Sequence, residues 1–179
     1  DSNIQIPAIM AGYRIPGITS DDNTAIEMVS SVLSTGKSSR LYKKMVDEKK
    51  NSLQVGSFNN SMQDYGAYIL YAIPNNNTDI DTLLKDIDEE IVKLQTELIS
   101  EAEFTKLQNQ FENDYLENNN RMIKVAENLA TGYTFYKNIN NINVELDKIR
   151  KITRQDIQQV AKKYLNRNQR VLLYYLPKK

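Results

Sequence analysis

The side chains that could do chemistry in this chain are carboxylates, lysines, arginines and tyrosines, because its 179 residues include no histidine and no cysteine. Protein zinc sites and Ser-His or Cys-His nucleophile pairs need the missing imidazole or thiolate groups. The chain by itself therefore lacks the residues of a usual zinc enzyme or triad hydrolase. Its carboxylates leave glycosidase-like chemistry and oxygen-ligand metal chemistry open.

The densest group of carboxylates is Asp86, Asp88, Glu89 and Glu90. Carboxylates at helical spacing can bind a hard cation. The same pattern also fits the polar side of a helix, opposite its leucines, with Glu89 placed to pair with Lys93 four residues later. Because charged residues are mostly exposed, a solvated helix face is the favoured interpretation, and a cation site is the alternative.

Three tyrosines, Tyr65, Tyr68 and Tyr71, lie close together in the sequence and could stack on bases or contact a peptide. Lys+Arg and Asp+Glu both number 23, so the formal net charge is zero, and no basic stripe accompanies the tyrosines. Nucleic acid is therefore not expected as a partner. Packing in a core or an interface is the default role for these rings, and peptide contact is the alternative.

Arg40 follows two serines at a predicted helix start, where backbone N–H groups could hold an anion. The alternative is that its guanidinium ties the loop to a neighbouring carboxylate or carbonyl. Both interpretations stay open at this point.

The elements that must position these residues follow from the pattern of apolar residues and turn signals. A strand is predicted at 6–15 and a hairpin at 53–60 and 65–73, with helices before and after it and a last strand at 170–176. Two helices are predicted between the first strand and the hairpin, the first ending at Gly36, and a later helix is predicted from Met122 to Tyr136. This order predicts an α+β fold in which an antiparallel sheet carries helices on one face.

The second hairpin strand predicts two different faces of that sheet. Because side chains alternate along a strand, Tyr68, Leu70 and Ala72 point one way and Ile69, Tyr71 and Ile73 the other. Both sets are apolar or aromatic, so one face is expected to pack on helices. The other is expected to be covered by a neighbouring domain or to line a groove.

The length suits one domain, so residues 1–179 are predicted to form a single domain without an internal linker. No apolar run approaches the ~20 residues that span a bilayer, so no membrane span is predicted. Since the sequence begins at Asp1 rather than at Met, we expect it to be a piece of a longer protein.

Several segments, in this order, resemble the pitrilysin/insulinase family of zinc metallopeptidases. The first strand reads Ala-Gly-Tyr-Arg-Ile-Pro, and a final helix begins at Thr153 before the last strand. The most specific segment follows the first helix and comprises Gly36, Ser38, Ser39, Arg40 and Leu41. The resemblance extends from about Ile6 to Leu176 and implies the two-layer sandwich of this family, which LuxS and mitochondrial processing peptidase share.

In that family the metal-bearing domain carries a His-x-x-Glu-His motif and a distal glutamate, which supply the zinc ligands and the general base. None of this is present here, so the chain resembles the second, non-metal-binding domain. The resemblance implies no cofactor in this chain, zinc in a partner domain, and no activity for this chain alone.

The second domain of active family members usually contributes an arginine and a tyrosine, seven residues apart, that contact the substrate backbone. The resemblance places Val46 and Leu53 at these positions. Neither side chain can donate a hydrogen bond, so this auxiliary role is expected to be missing as well. The predicted substrate-binding residues are these two degenerate positions together with Tyr68 and Tyr71.

The implied partners are a zinc-bearing homologous domain or subunit and an unfolded peptide substrate. The implied location is the periplasm or envelope of a bacterium, while the composition leaves the cytoplasm open. Two alternatives belong to other functional classes. The chain could be an assembly subunit like the core proteins of the respiratory bc1 complex, or it could be a binding module for a peptide.

Overall fold

The computed structural model describes residues 6–75 and 78–177. Its elements are four strands, six α-helices and two short helical segments of other types. In chain order they are β1 (Ala8–Pro16), α1 (Asn23–Ser34), a π-helical segment (Tyr42–Glu48), β2 (Ser52–Ser61), β3 (Tyr65–Pro74), α2 (Ile80–Thr96), α3 (Glu101–Asn119), α4 (Met122–Tyr136), α5 (Asn141–Lys151), α6 (Arg154–Tyr164), a 3₁₀ turn (Arg167–Gln169) and β4 (Arg170–Tyr175).

The four strands form one antiparallel sheet in the order β2-β3-β1-β4. The predicted hairpin is confirmed as β2 and β3, and the last predicted strand closes the sheet beside the first. The predicted α+β class, with helices on one face of an antiparallel sheet, is thereby confirmed.

The helix-covered face of the sheet, called here the closed face, holds the core. Alternate residues of β1 and β3 and Val55 of β2 point into it and are almost fully buried, and α1, α2 and α6 pack on these strands. Burying each such aliphatic or aromatic side chain contributes about 1.5–3 kcal/mol, so this face is the main source of stability. Its strand residues include Ile9, Ala11, Tyr13, Ile15, Val55, Tyr68, Leu70 and Ala72.

Two helix ends agree with the predicted signals, the end of α1 at Gly36 and the start of α6 at Thr153. Gly36 follows α1 with a φ of 74°, a left-handed conformation that favours glycine. Thr153 and Asp156 form a capping box at α6, with Thr153 N–H donating to the Asp156 carboxylate at 2.8 Å. At the start of α2, Asp79 is the N-cap residue and makes no side-chain capping hydrogen bond.

The second predicted helix is wound as a π-helix over most of its length. Its wide turns show in the hydrogen bond from Lys49 N–H to the Lys44 carbonyl, at 3.0 Å. This winding buries Met45 and leaves Val46 half-buried against the core. The chain then reaches β2 through Lys50, which adopts a left-handed φ of 52°.

The acidic group on α2 is not the solvated face that the sequence predicts. Asp86, Asp88 and Glu90 are buried, and Glu89 pairs with Lys44 at 2.7 Å instead of with Lys93. Their basic partners come from the π-helical segment and its C-cap Lys49, from the 3₁₀ turn and from β4, which local periodicity along α2 cannot reveal. These partners are Lys44, Lys49, Arg167 and Arg170, with Lys93 of α2 itself on Glu90.

Candidate functional site

The sheet face away from the helices, called here the open face, carries apolar side chains on all four strands. Its side chains align in cross-strand rows, because the strands pair in register. One row joins Phe58, Ile69, Gly12 and Val171, and the next joins Tyr71, Met10 and Leu173. Several of these side chains are widely exposed, with Val171 at 73% and Leu173 at 54%. An exposed apolar surface of this kind is a candidate binding surface.

Tyr71 is held flat at the centre of the open face. Its ring crosses Gly56, where an added Cβ would lie only 2.6 Å from the tyrosine hydroxyl oxygen. Gln54 donates from Nε2 to that hydroxyl at 3.0 Å. The predicted contact residue Tyr71 is therefore half-buried, with one ring face on the sheet and a fixed orientation.

One end of the open face carries a positive charge. The Arg14 guanidinium carbon lies 3.9 Å from the centre of the Tyr65 ring, which is a cation–π arrangement. Tyr65 is itself exposed. This end of the face can therefore contact a polar or acidic group, whereas the rows beside it offer apolar contacts.

Val46 and Leu53 lie on two elements that contact each other, the π-helical segment and β2. Leu53 sits at an irregularity in the pairing of β2 with β3 and is 56% exposed. Val46 is half-buried against the core. These two side chains are aliphatic, so each offers apolar contact and neither side chain can donate a hydrogen bond.

Tyr68 lies on the closed face, away from the other predicted contact residues. Its side chain is fully buried, its ring centre is 6.2 Å from that of Tyr13, and burial raises the pKa of its phenol. Alternation along β3 already separates Tyr68 from Tyr71, as the sequence predicts. We therefore leave Tyr68 out of the candidate site, because a ligand on the open face cannot reach it.

The segment from Gly36 to Leu41 ties the start of the π-helical segment to α3. Arg40 donates from Nε and Nη2 to the two carboxylate oxygens of Glu103, at 3.1 and 2.7 Å, and these hydrogen bonds raise the pKa of the guanidinium. Ser39 donates to the Gly36 carbonyl at 2.7 Å. Lys106 donates to Ser38 at 2.8 Å, and Leu41 is fully buried. Of the two interpretations of Arg40, the structure supports the carboxylate tie.

Zinc does not fit the donor groups of this chain. No histidine or cysteine is present in the sequence, and the buried carboxylates of α2 are engaged by lysine and arginine. Within residues 6–75 and 78–177, no three or more acidic side chains are arranged as a metal site. In the same ranges, no helix is both long and apolar enough to cross a membrane.

Sequence reasoning missed the part of the open face that β1 and β4 contribute. The last strand reads as the continuous apolar run Val171 to Leu176. Such a run does not show which side chains point to which face. The pairing with β1 shows which side chains of β4 belong to the open face. Residues Val171, Leu173 and Tyr175 align with residues of β1 that point outward.

Comparison with known proteins gives one family and several relatives. Residues 1–111 match the family model described as the Peptidase M16 inactive domain. The zinc protease PqqE of Helicobacter pylori is 26% identical over 174 residues, which are 97% of this chain and 39% of that protein. The crystal structure of a protease from Helicobacter pylori is 25% identical, with a TM-score of 0.89 over 97% of this chain and 42% of that one.

This chain thus spans about two fifths of the length of the relatives it matches first. By contrast, the inactive peptidase domain of a Bordetella parapertussis protein is covered over 93% of its length, with a TM-score of 0.85 and 22% identity. This likeness and two further ones show the fold alone. One of the two is a chain of complex III2 from Candida albicans, with 17% identity and a TM-score of 0.81 over 98% of this chain and 44% of that one. The other is the periplasmic protease PqqL from Escherichia coli, with 16% identity and a TM-score of 0.79 over 98% of this chain and 20% of that one.

Proposed function

This chain belongs to the family of M16 peptidase inactive domains, and from that premise we propose that it is the non-catalytic domain of a bacterial zinc metalloendopeptidase. In this proposal residues 1–179 form one domain of a longer protein. The domain forms one wall of the chamber that holds an unfolded peptide, and it docks the domain that carries the zinc.

The observation that carries the proposal is the open face. It spans four strands, it is apolar in successive cross-strand rows, and the helices of this chain lie on the other side of the sheet. A wall of this kind can bind the side chains of an extended peptide without selecting one sequence, because apolar contact is not directional.

The chemistry of the wall supports a role in binding and not in bond cleavage. Val46 and Leu53 stand where the family resemblance implies an arginine and a tyrosine, and neither can stabilise charge in a transition state. We propose that these two residues and Tyr71 contact the peptide through apolar surface. The metal, its ligands and the general base would all belong to the partner domain.

The relatives support the remaining parts of the proposal. PqqE is a zinc protease by its name, and PqqL is a periplasmic protease. We propose the same class of reaction for the full-length protein, and the periplasm or cell envelope as its location. Zinc would be the cofactor of the partner domain, and an unfolded peptide the substrate.

Metal analysis and a peptidase assay test this assignment together. The full-length protein should bind zinc and hydrolyse an unfolded peptide, and a chelator should abolish that hydrolysis. The 179-residue chain alone should hold no stoichiometric zinc and hydrolyse nothing. Tightly bound zinc or peptide hydrolysis in the chain alone would contradict the proposal.

The alternatives are an assembly subunit and an independent peptide-binding module. The likeness to a complex III2 chain is at 17% identity and supports only the shared fold. An assembly subunit predicts a full-length protein without zinc and without peptidase activity. A binding module predicts that the chain alone binds unfolded peptides. The same assay, extended by peptide titration, therefore separates all three.

A further inference from the structure

The helix α4 presents a second apolar surface, on the helical side of the domain. Met122, Ala126, Leu129 and Tyr133 recur at spacings of four, three and four residues, which places them along one side of a helix. Met122 is 89% exposed and Tyr133 68% exposed. We name this row the α4 stripe. No charged residue interrupts it.

Packing within the described part of the chain holds α4 only weakly. Gly132 is the one buried residue among its 15. The main neighbours of α4 are α3 and α5. Between these helices and α1 lies a cleft of about 420 Å³. Since helices in proteins are stabilised mostly by tertiary packing, an apolar helix with so little support is expected to have a further neighbour.

The size of the stripe indicates what kind of neighbour this is. A helix of 15 residues is roughly 22 Å long and 10 Å wide, so the stripe offers a few hundred Å² at most. A stable contact between freely diffusing proteins buries about 800 Å² on each partner. The stripe is therefore too small to hold a second copy of this chain in a stable dimer. A domain in the same polypeptide needs less area, because a short linker supplies a high effective concentration.

The charges at the ends of the stripe indicate the chemistry of that neighbour. Arg121 precedes α4 and Lys137 follows it, and both are exposed. A groove that accepts the stripe would have an apolar floor and acidic groups at its two ends. The relatives in which this chain covers 39% and 42% of the length contain further polypeptide that could provide such a groove.

We propose that α4 is the helix on which the zinc-bearing domain docks, with the α4 stripe in an apolar groove that has acidic ends. This inference rests on the proposed function, and it divides the two apolar surfaces between two partners. The open face stays accessible for peptide, whereas the α4 stripe is covered in the assembled protein at all times.

The absence of cysteine from this chain makes thiol labelling a direct test. Tyr133→Cys places a probe on the stripe, and Ala126→Cys places a second one. Val92→Cys is the matched control, because Val92 is on α2, away from both surfaces, and is 47% exposed in this chain. Each variant of the full-length protein is labelled with a maleimide, and peptide mass spectrometry measures the rate at each introduced thiol.

We expect the thiols introduced at positions 133 and 126 to react roughly tenfold or more slowly than the thiol at position 92, since their labelling requires the domains to separate. Equal or faster labelling at position 133 would overturn the proposal. Protection that disappears on dilution to a monomer would identify a second copy as the cover, and protection that appears only with added peptide would identify the substrate. Both results would also overturn it.

Peptide hydrolysis by each unlabelled variant is measured in parallel. Protection at position 133 in a protein that cleaves no peptide would leave the docking inference standing and contradict the peptidase assignment. The reverse result, cleavage with an accessible thiol at position 133, would contradict the docking inference alone.

Discussion

Tyr71 owes its position on the open face to a glycine on the neighbouring strand. Its ring occupies the space that a side chain at position 56 would fill, and Gln54 fixes its hydroxyl. A tyrosine held in this way presents a rigid aromatic surface, which costs little conformational entropy when a ligand binds.

Gly56→Ala should therefore displace the Tyr71 ring, because the new Cβ would lie 2.6 Å from its hydroxyl oxygen. We expect a loss of about 1 kcal/mol in the free energy of unfolding, the low end for forced overpacking, because the displaced atoms are the far end of a half-buried side chain. Gly12→Ala is the matched control on the same face, since its Cβ would meet only the Val171 carbonyl oxygen, at 3.9 Å. Urea unfolding of the two variants measures the difference. Equal losses would show that Tyr71 does not depend on Gly56.

Glu27 gives a pH prediction at the same scale. Its side chain is exposed at the edge of the cleft that α4 lines, where reduced hydration and then the nearby Glu145 carboxylate raise its pKa. A carboxyl group with a raised pKa in the folded state binds its proton more readily when folded, so stability increases as the pH falls through that pKa toward the ordinary value of 4.5.

Glu27→Gln should remove this penalty. Thermal unfolding should show a higher Tm for the variant than for the native protein at pH 8, and the difference should shrink toward pH 4. A difference in Tm that is the same at both pH values would mean that titration of Glu27 is not the cause.

The sequence predicted the strand face on which a residue lies better than it predicted what packs against that residue. Alternation along β3 correctly separated Tyr68 from Tyr71. It could not show that Tyr68 is sealed under helices, because that depends on α1 packing against β2. The burial of Asp86 and Asp88 was missed for a similar reason, since their partners lie up to 82 residues away in the sequence.

At the scale of elements, Asp88 joins α2 to the last strand of the sheet. Its carboxylate accepts hydrogen bonds from Arg167 and Arg170, and the latter also donates to the Tyr13 hydroxyl at 3.5 Å. The Asp88 and Arg170 side chains are only 6% and 9% exposed. This pair therefore couples the helical layer to an edge strand whose outer residues belong to the open face.

Asp88→Ala should cost about 3–5 kcal/mol in the free energy of unfolding, because it leaves the Arg170 guanidinium buried without its partner. Glu127→Ala is the control, since its pair with Lys124 lies on the surface and such pairs contribute at most about 1 kcal/mol. Denaturant titration of both variants measures the two losses. Similar small losses would mean that Asp88 does not couple α2 to β4.

The order of elements was largely predictable from the sequence, including α4 from Met122 to Tyr136. Strong periodicity and turn residues such as Gly36 carry that information. The π-helical winding of Tyr42–Glu48 was not predictable, because an α-helix and a π-helix share nearly the same local pattern of apolar residues. The role of β4 in the open face emerged only from its register.

At the scale of the whole molecule, two apolar surfaces lie on different layers of the sandwich. The open face belongs to the sheet, and the α4 stripe belongs to the outer helices. Two exposed apolar surfaces are not expected on an isolated domain. They are expected on a domain that binds a peptide with one surface and a partner domain with the other. The missing histidines and cysteines fit the proposed division of labour, in which this domain supplies the binding surface and its partner supplies the metal.

The central claim is that the open face binds the peptide that the full-length protein cleaves. Phe58→Asp and Leu173→Asp place a charge on that face, and Val92→Asp places one on an exposed position of α2. The most direct test is the KM of the full-length protein and its three variants for an unfolded peptide, with zinc content measured in each.

We expect the two open-face variants to raise KM by roughly tenfold or more at unchanged zinc content, because each loses about 1.5–3 kcal/mol of apolar contact. The Val92 variant should keep the native KM. If KM stays unchanged when Phe58 and Leu173 are charged, the open face does not bind substrate and the account is contradicted.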